Sequence, residues 1–62
     1  MTVTITIDTD NEAFRTNPYG PHIELNSILR DLATKIAYDM RLNNHTLRDS
    51  NGNTCGQMTV TH

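Results

Sequence analysis

Residues Thr2 to Asp8 alternate without a break between polar and apolar. Val3, Ile5 and Ile7 take one side and Thr2, Thr4 and Thr6 the other, which is the two-residue period of a half-buried β-strand. β-Branching at all six positions suits a pleated surface. From His22 to about Leu42 the period changes. Leu25, Ile28, Leu29, Leu32, Ile36 and Met40 recur at spacings of three and four, with Ala33 and Ala37 beside them. That is one face of an amphipathic helix, opened by Pro21 and closed by Asn43-Asn44, where Asn accepts the left-handed cap conformation. The opposite face carries Asn26, Arg30, Thr34, Lys35, Asp39 and Arg41, and Asp31 and Lys35 stand one turn apart as an ion pair worth a few tenths of a kcal/mol.

Two further strands are predicted at His45 to Asp49 and Thr54 to Thr61. Asn51-Gly52 between them supplies the two positive-φ residues of a type I′ hairpin turn. That turn sets Leu47 opposite Gly56 and His45 opposite Met58. Leu47, Met58 and Val60 then share one face, with Thr46, Gln57, Thr59 and Thr61 on the other. Turn chemistry and alternation choose the same register. A three-residue loop would break that agreement unless a bulge restored it. Between the first strand and the helix lies a polar connection from Asp8 to Pro21, where Pro18-Tyr19-Gly20-Pro21 argues against regular structure. Phe14 is expected to pin it to the core. Connections longer than about 12 residues are uncommon in compact domains and often functional.

The reading is therefore one α+β domain spanning residues 1–62, with the order β-α-β-β and one amphipathic helix packed on a face of a three-stranded sheet. The expected core sets Val3, Ile5, Ile7, Leu47, Met58 and Val60 against Leu25, Ile28, Leu29, Leu32, Ile36 and Met40. The crossover makes the first two strands parallel, so the third can sit between them; the second strand at the centre is the alternative.

Composition narrows the function. Five basic residues against seven acidic give a net charge of −2. This is no basic stripe for gripping nucleic acid, and it is too mild for a polyanionic mimic of one. A chain of 62 residues buries only about 60% of its unfolded surface. Small domains compensate with disulfides, a metal or self-association. Cys55 is alone, and with His22, His45 and His62 it lacks the paired spacing of zinc modules. A homodimer is the remaining expectation. No apolar run approaches the roughly 18 residues of a membrane span. Thr2, Thr4 and Thr6 interrupt any leader-like run, so the expected location is cytoplasmic.

No chemistry stands out. Asp8, Asp10 and Glu12 open like a calcium loop, but Ala13 replaces the required Gly and Tyr19 the closing acid. Asp49, Asn51 and Asn53 repeat the spacing and fail in the same way at Thr54 and Val60. Cys55 is expected on the Thr face, away from His45, which separates any metal set or Cys–His pair. No cofactor and no enzymatic activity are expected. Gly56 in mid-strand marks either room for a helix side chain or the approach of another backbone or a ligand. The Thr-rich face reads as ordinary solvated sheet or as a flat contact surface. The first strand carries no Lys, Pro or inward charge, so as a sheet edge it lacks the usual guards against pairing.

Thr4-Ile5-Thr6-Ile7-Asp8-Thr9-Asp10-Asn11-Glu12-Ala13-Phe14, Ile28-Leu29-Arg30-Asp31-Leu32-Ala33 and Leu47-Arg48-Asp49-Ser50-Asn51-Gly52-Asn53-Thr54-Cys55-Gly56 together resemble small accessory proteins encoded by tailed bacteriophages and prophages. The chain departs from that pattern at Cys55, where an aliphatic residue is expected, and between Arg41 and Thr46, which is more polar. The resemblance implies a phage protein in the host cytoplasm that binds and inhibits a host protein or ribonucleoprotein complex, such as a component of a CRISPR-type defence. The candidate contact residues are Asp8, Asp10, Glu12, Phe14 and Tyr19 of the long connection, Asp49, Asn51 and Asn53 of the hairpin tip, and the exposed helix face. The alternatives are a dimeric sponge for a small nucleotide signal, which would draw on Arg15, Arg30, Lys35, Arg41 and Arg48, and a minor virion or assembly component.

Overall fold

A computed structural model describes all 62 residues, Met1 to His62. The alternating N-terminal segment forms β1 (Thr2–Ile7), followed by a short helix α1 (Glu12–Thr16), the long helix α2 (Pro21–Tyr38), β2 (His45–Arg48) and β3 (Thr54–Thr61). The three strands make one sheet in the order β1-β3-β2, with β3 antiparallel to both neighbours. The crossover through α2 thus leaves β1 and β2 parallel, and the last strand takes the centre.

The hairpin register is reached by a different route from the one the turn residues suggest. His45 stands opposite Met58 and Leu47 opposite Gly56, as expected, but Arg48 stands opposite Thr54. Cys55 is the extra residue, a β-bulge. The turn is not type I′, because Gly52 (φ +83°) is the one hairpin residue with positive φ. The amide of Gly52 donates to the carbonyl of Asp49 (3.0 Å), and the amide of Asp49 donates to the carbonyl of Asn53 (2.9 Å). The loop is therefore three residues, Ser50 to Gly52, with glycine in the left-handed position that such loops demand. It shifts the pairing by one residue and the bulge shifts it back. The bulge also turns Cys55 inward, so that it joins the core rather than the Thr face.

Phe14, Ile28, Leu32, Leu47, Cys55 and Met58 form that core, and Met58 at the sheet centre is fully buried. Ile7, Leu25, Ile36, Leu42 and Val60 pack around it. Phe14 reaches the core from α1, a helical turn inside a connection that its Pro and Gly content had marked as irregular. Helix α2 ends at Tyr38, short of Leu42. Asp39 adopts extended backbone and donates its amide to the Ile36 carbonyl (3.2 Å), and its carboxylate meets His45 Nε2 (2.7 Å). Asn43 and Asn44 therefore do not cap the helix, and no residue but glycine has positive φ. Asn44 instead accepts the Val60 amide (2.8 Å), extending the β3 ladder past the end of β2. Met40 lies beyond the helix and is fully exposed rather than core, while Leu42 turns back onto the core in its place. Val3, Ile5 and Leu29 also depart from the expected core, at 43%, 45% and 40% exposure.

Gly56 is explained by the sheet itself. A Cβ there would lie 2.1 Å from the Thr6 carbonyl oxygen and 2.9 Å from Ile7 Cα. The close neighbour is the backbone of β1, not a helix side chain or a ligand. Gly56→Ala should therefore cost about 3 kcal/mol, lowering the melting temperature by more than about 10 °C in circular dichroism. Gly52→Ala, which meets open space and only the strain of positive φ, should cost about 1 kcal/mol. A reversed ranking would refute the close approach of β1.

Candidate functional site

The C-terminal end of β1, the N-terminal end of β3 and the hairpin loop all lie at one end of the sheet. Backbone pairing continues past β1 there, with the Asp8 amide donating to the Cys55 carbonyl (2.7 Å). Two buried carboxylates organise this end. Asp49 Oδ1 accepts the amides of Asn51 and Asn53 (3.0 Å each), and its Oδ2 accepts from the Asn11 side chain (3.2 Å). Glu24 is 2% exposed. Its Oε1 accepts the Ser50 amide (2.9 Å) and hydroxyl (2.7 Å), and its Oε2 accepts from Asn17 (3.4 Å). One carboxylate of α2 thus holds both the hairpin loop and the connection between α1 and α2.

Those bonds lower the Glu24 pKa below its ordinary value of 4.5. The Ser50 amide and hydroxyl lower it most, and they outweigh the burial and the nearby Asp49 charge that act in the opposite direction. Burial, reinforced by Asp49, pushes the Cys55 thiol up, which disfavours the thiolate of this core residue.

The sequence-nominated residues divide in two. Asp8, Asp10 and Glu12 are exposed, as are Tyr19, Asn51 and Asn53. Asp8 Oδ1 accepts the Asp10 amide (2.9 Å), and Tyr19 donates its amide to Asn17 Oδ1 (2.9 Å). Phe14 and Asp49 are buried, so their side chains work inside the fold rather than at a contact surface. Asn11–Asp49 ties the β1–α1 loop to the hairpin tip, which brings the two nominated surfaces together. The exposed helix face lies elsewhere. Cys55 does share the core side with His45, contrary to the facing argument, yet no group of three or more His, Cys, Asp and Glu side chains is placed to hold a metal.

Sequence reasoning passed over one concavity. A groove of about 280 Å³ runs between α2 and the β2 side of the hairpin, with Ile28, Leu32 and Leu47 in its floor and Asp31, Lys35, Arg48, Asp49 and Ser50 on its walls. Of the five basic residues proposed to hold a nucleotide, only Lys35 and Arg48 reach it. Arg48 is already engaged with the Gly52 carbonyl (3.3 Å) and the Thr54 hydroxyl (3.4 Å), and Asp31 and Asp49 offset the cationic field. No helix is long and apolar enough to cross a membrane. Comparison with protein-family models, curated proteins and solved structures finds no match for the chain.

The Glu24 anchor has a defined pH dependence. A folded-state pKa below the unfolded one stabilises the fold above the unfolded value, and that stability is lost as pH falls through the folded one. Stability should hold from neutral pH to near 4.5 and fall progressively below it. Glu24→Gln should destabilise by about 2 kcal/mol at pH 7 and flatten the acid limb of urea midpoint against pH. A parallel limb in both proteins would remove Glu24 from that role.

Proposed function

We propose that the chain is a non-enzymatic binding protein that inhibits a basic, nucleic-acid-handling host macromolecule, in the manner of a phage-encoded anti-defence inhibitor. The observation that carries this reading is the grouping of Asp8, Asp10 and Glu12, all exposed, beside the polar hairpin tip at Asn51 and Asn53. The one contact of an acidic with a basic side chain at salt-bridge distance is His45–Asp39, so none of the three meets a basic side chain. Asp49 and Glu24 hold this end in shape from beneath, which limits the ordering cost of binding. Three exposed carboxylates without a basic partner complement the Lys and Arg residues with which a nucleic-acid-binding protein meets phosphate. The resemblance to phage accessory proteins supports the same class of partner.

Expression in a bacterium with an active nucleic-acid-guided defence should restore phage plating. The Asp8→Lys, Asp10→Lys, Glu12→Lys triple variant should lose that rescue, with binding at least about tenfold weaker, equivalent to about 1.4 kcal/mol. Its melting temperature should stay within a few degrees of the parent, because each change is at the surface. Full rescue by the triple variant would sink the electrostatic reading. Several degrees of stabilisation by one nucleotide, in a chain that rescues nothing, would favour the sponge instead.

A further inference from the structure

The two edges of the sheet are unlike. β2 is four residues long, begins at His45 beside Asp39, and ends at Arg48, whose guanidinium braces the turn. Short length and charge are the usual guards of an edge. β1 is six residues long and carries no charged side chain. Val3 and Ile5 of its apolar row are the least covered apolar side chains of the sheet. Ile5 lies opposite Met58 and Val3 opposite Val60, which puts both on the helix side. Nonetheless Val3 and Ile5 remain 43% and 45% exposed.

The helix explains the gap. Asp31 and Lys35 line the groove over β2, so that flank of α2 faces the β2 edge. Leu25, Leu29 and Ile36 lie roughly 60–100° round the helix from Ile28 in the other direction, away from the β2 edge. Leu25 and Ile36 reach the core while Leu29 stays 40% exposed. The open strand edge and its two half-covered apolar side chains form one side wall of the molecule, and Leu29 is exposed on the flank of α2 turned away from β2.

We propose that this wall is the interface for a second copy of the chain, joined antiparallel through β1 across a twofold axis into a six-stranded sheet. A twofold contact must be self-complementary, and β1 is. An axis at Thr4 sets Val3 against Ile5 and Thr2 against Thr6; an axis at Ile5 sets Val3 against Ile7 and Thr4 against Thr6. Either way apolar meets apolar beneath the helices and threonine meets threonine on the opposite face. No charged side chain of β1 meets its own twin, although each copy carries a net charge of −2.

Size sets the strength. Six residues of strand run about 20 Å, and the molecule is 17–19 Å across its shorter axes. The wall is on the order of 400 Å² in projection, about half the area per partner of a standard stable complex. Association should therefore depend on concentration rather than be obligate.

Sedimentation equilibrium between about 10 μM and 1 mM covers the range that such an interface implies. The wild-type mass should rise from 7.0 kDa towards twice that value. Val3→Lys and Thr4→Lys place a charge on either face of the seam and should each raise the dissociation constant at least about tenfold. Amide exchange in β1 of the wild type should slow as concentration rises, a readout that needs no variant to fold. A constant monomer mass would overturn the proposal, as would dimers indifferent to both lysines or β1 exchange that ignores concentration.

Discussion

The fold rests on a pair of cancelling offsets in its hairpin. The loop from Ser50 to Gly52 holds one residue more than a two-residue turn, and an uncorrected strand would carry that offset along its whole length. Side chains alternate between faces with each residue, so Met58 would leave the core and Gln57 would enter it. The bulge at Cys55 absorbs the offset after a single pair, between Thr54 and Gly56. The consequences reach β1, because β3 is the central strand and β1 reads its register from it. Gly56 is the residue on which both neighbours depend. It lies opposite Leu47 on one side and Ile7 on the other, and its missing Cβ leaves room for the β1 backbone.

Legibility in the sequence followed the strength of the local signal. Strict alternation in Thr2–Ile7 and the three–four spacing through Leu32 and Ile36 each admit one reading, and both elements form. The register of Leu47 and Met58 was also legible, but through the wrong turn. Asn-Gly is a strong hairpin signal, and here Asp49 competes for it. Its carboxylate accepts the amides of Asn51 and Asn53 and fixes Asn51 at negative φ, so only Gly52 is left-handed. The helix end was missed for a similar reason. The periodicity continues to Met40, whereas a tertiary contact between Asp39 and His45 draws the chain out of the helix after Tyr38. Neither contact has a period to betray it.

The candidate site was legible as composition and not as structure. The acids of the long connection and the polar hairpin tip are visible in one dimension. That Asn11 ties one to the other, and that Glu24 holds the loop from beneath, is decided by separations of 38 and 26 residues. Glu24 occupies a helical position that looks solvent-facing by residue type. Burying a carboxylate is unfavourable unless it is well hydrogen-bonded, and the Ser50 amide and hydroxyl meet that condition. Of the acids near this end, Glu24 and Asp49 are buried and serve the fold, while Asp8, Asp10 and Glu12 are exposed and meet no basic side chain.

The two proposed surfaces constrain one another. Asp8 follows directly on β1, so the acidic end and the open edge belong to the same strand. In an antiparallel pairing the two copies of β1 run in opposite directions, which sends the two acidic ends to opposite limits of the six-stranded sheet. The like charges that would oppose association are thereby placed at opposite ends of the seam. With the axis at Thr4, each end also keeps its approach from solvent, because Asp8 then lies beyond the paired residues. A dimer of this kind presents two separated acidic ends on one rigid frame. Against a target with repeated basic sites, the second contact becomes intramolecular and adds avidity without any new chemistry in either copy. The weakness of a half-sized interface then has a use, since a target that engages both ends also holds the two copies together.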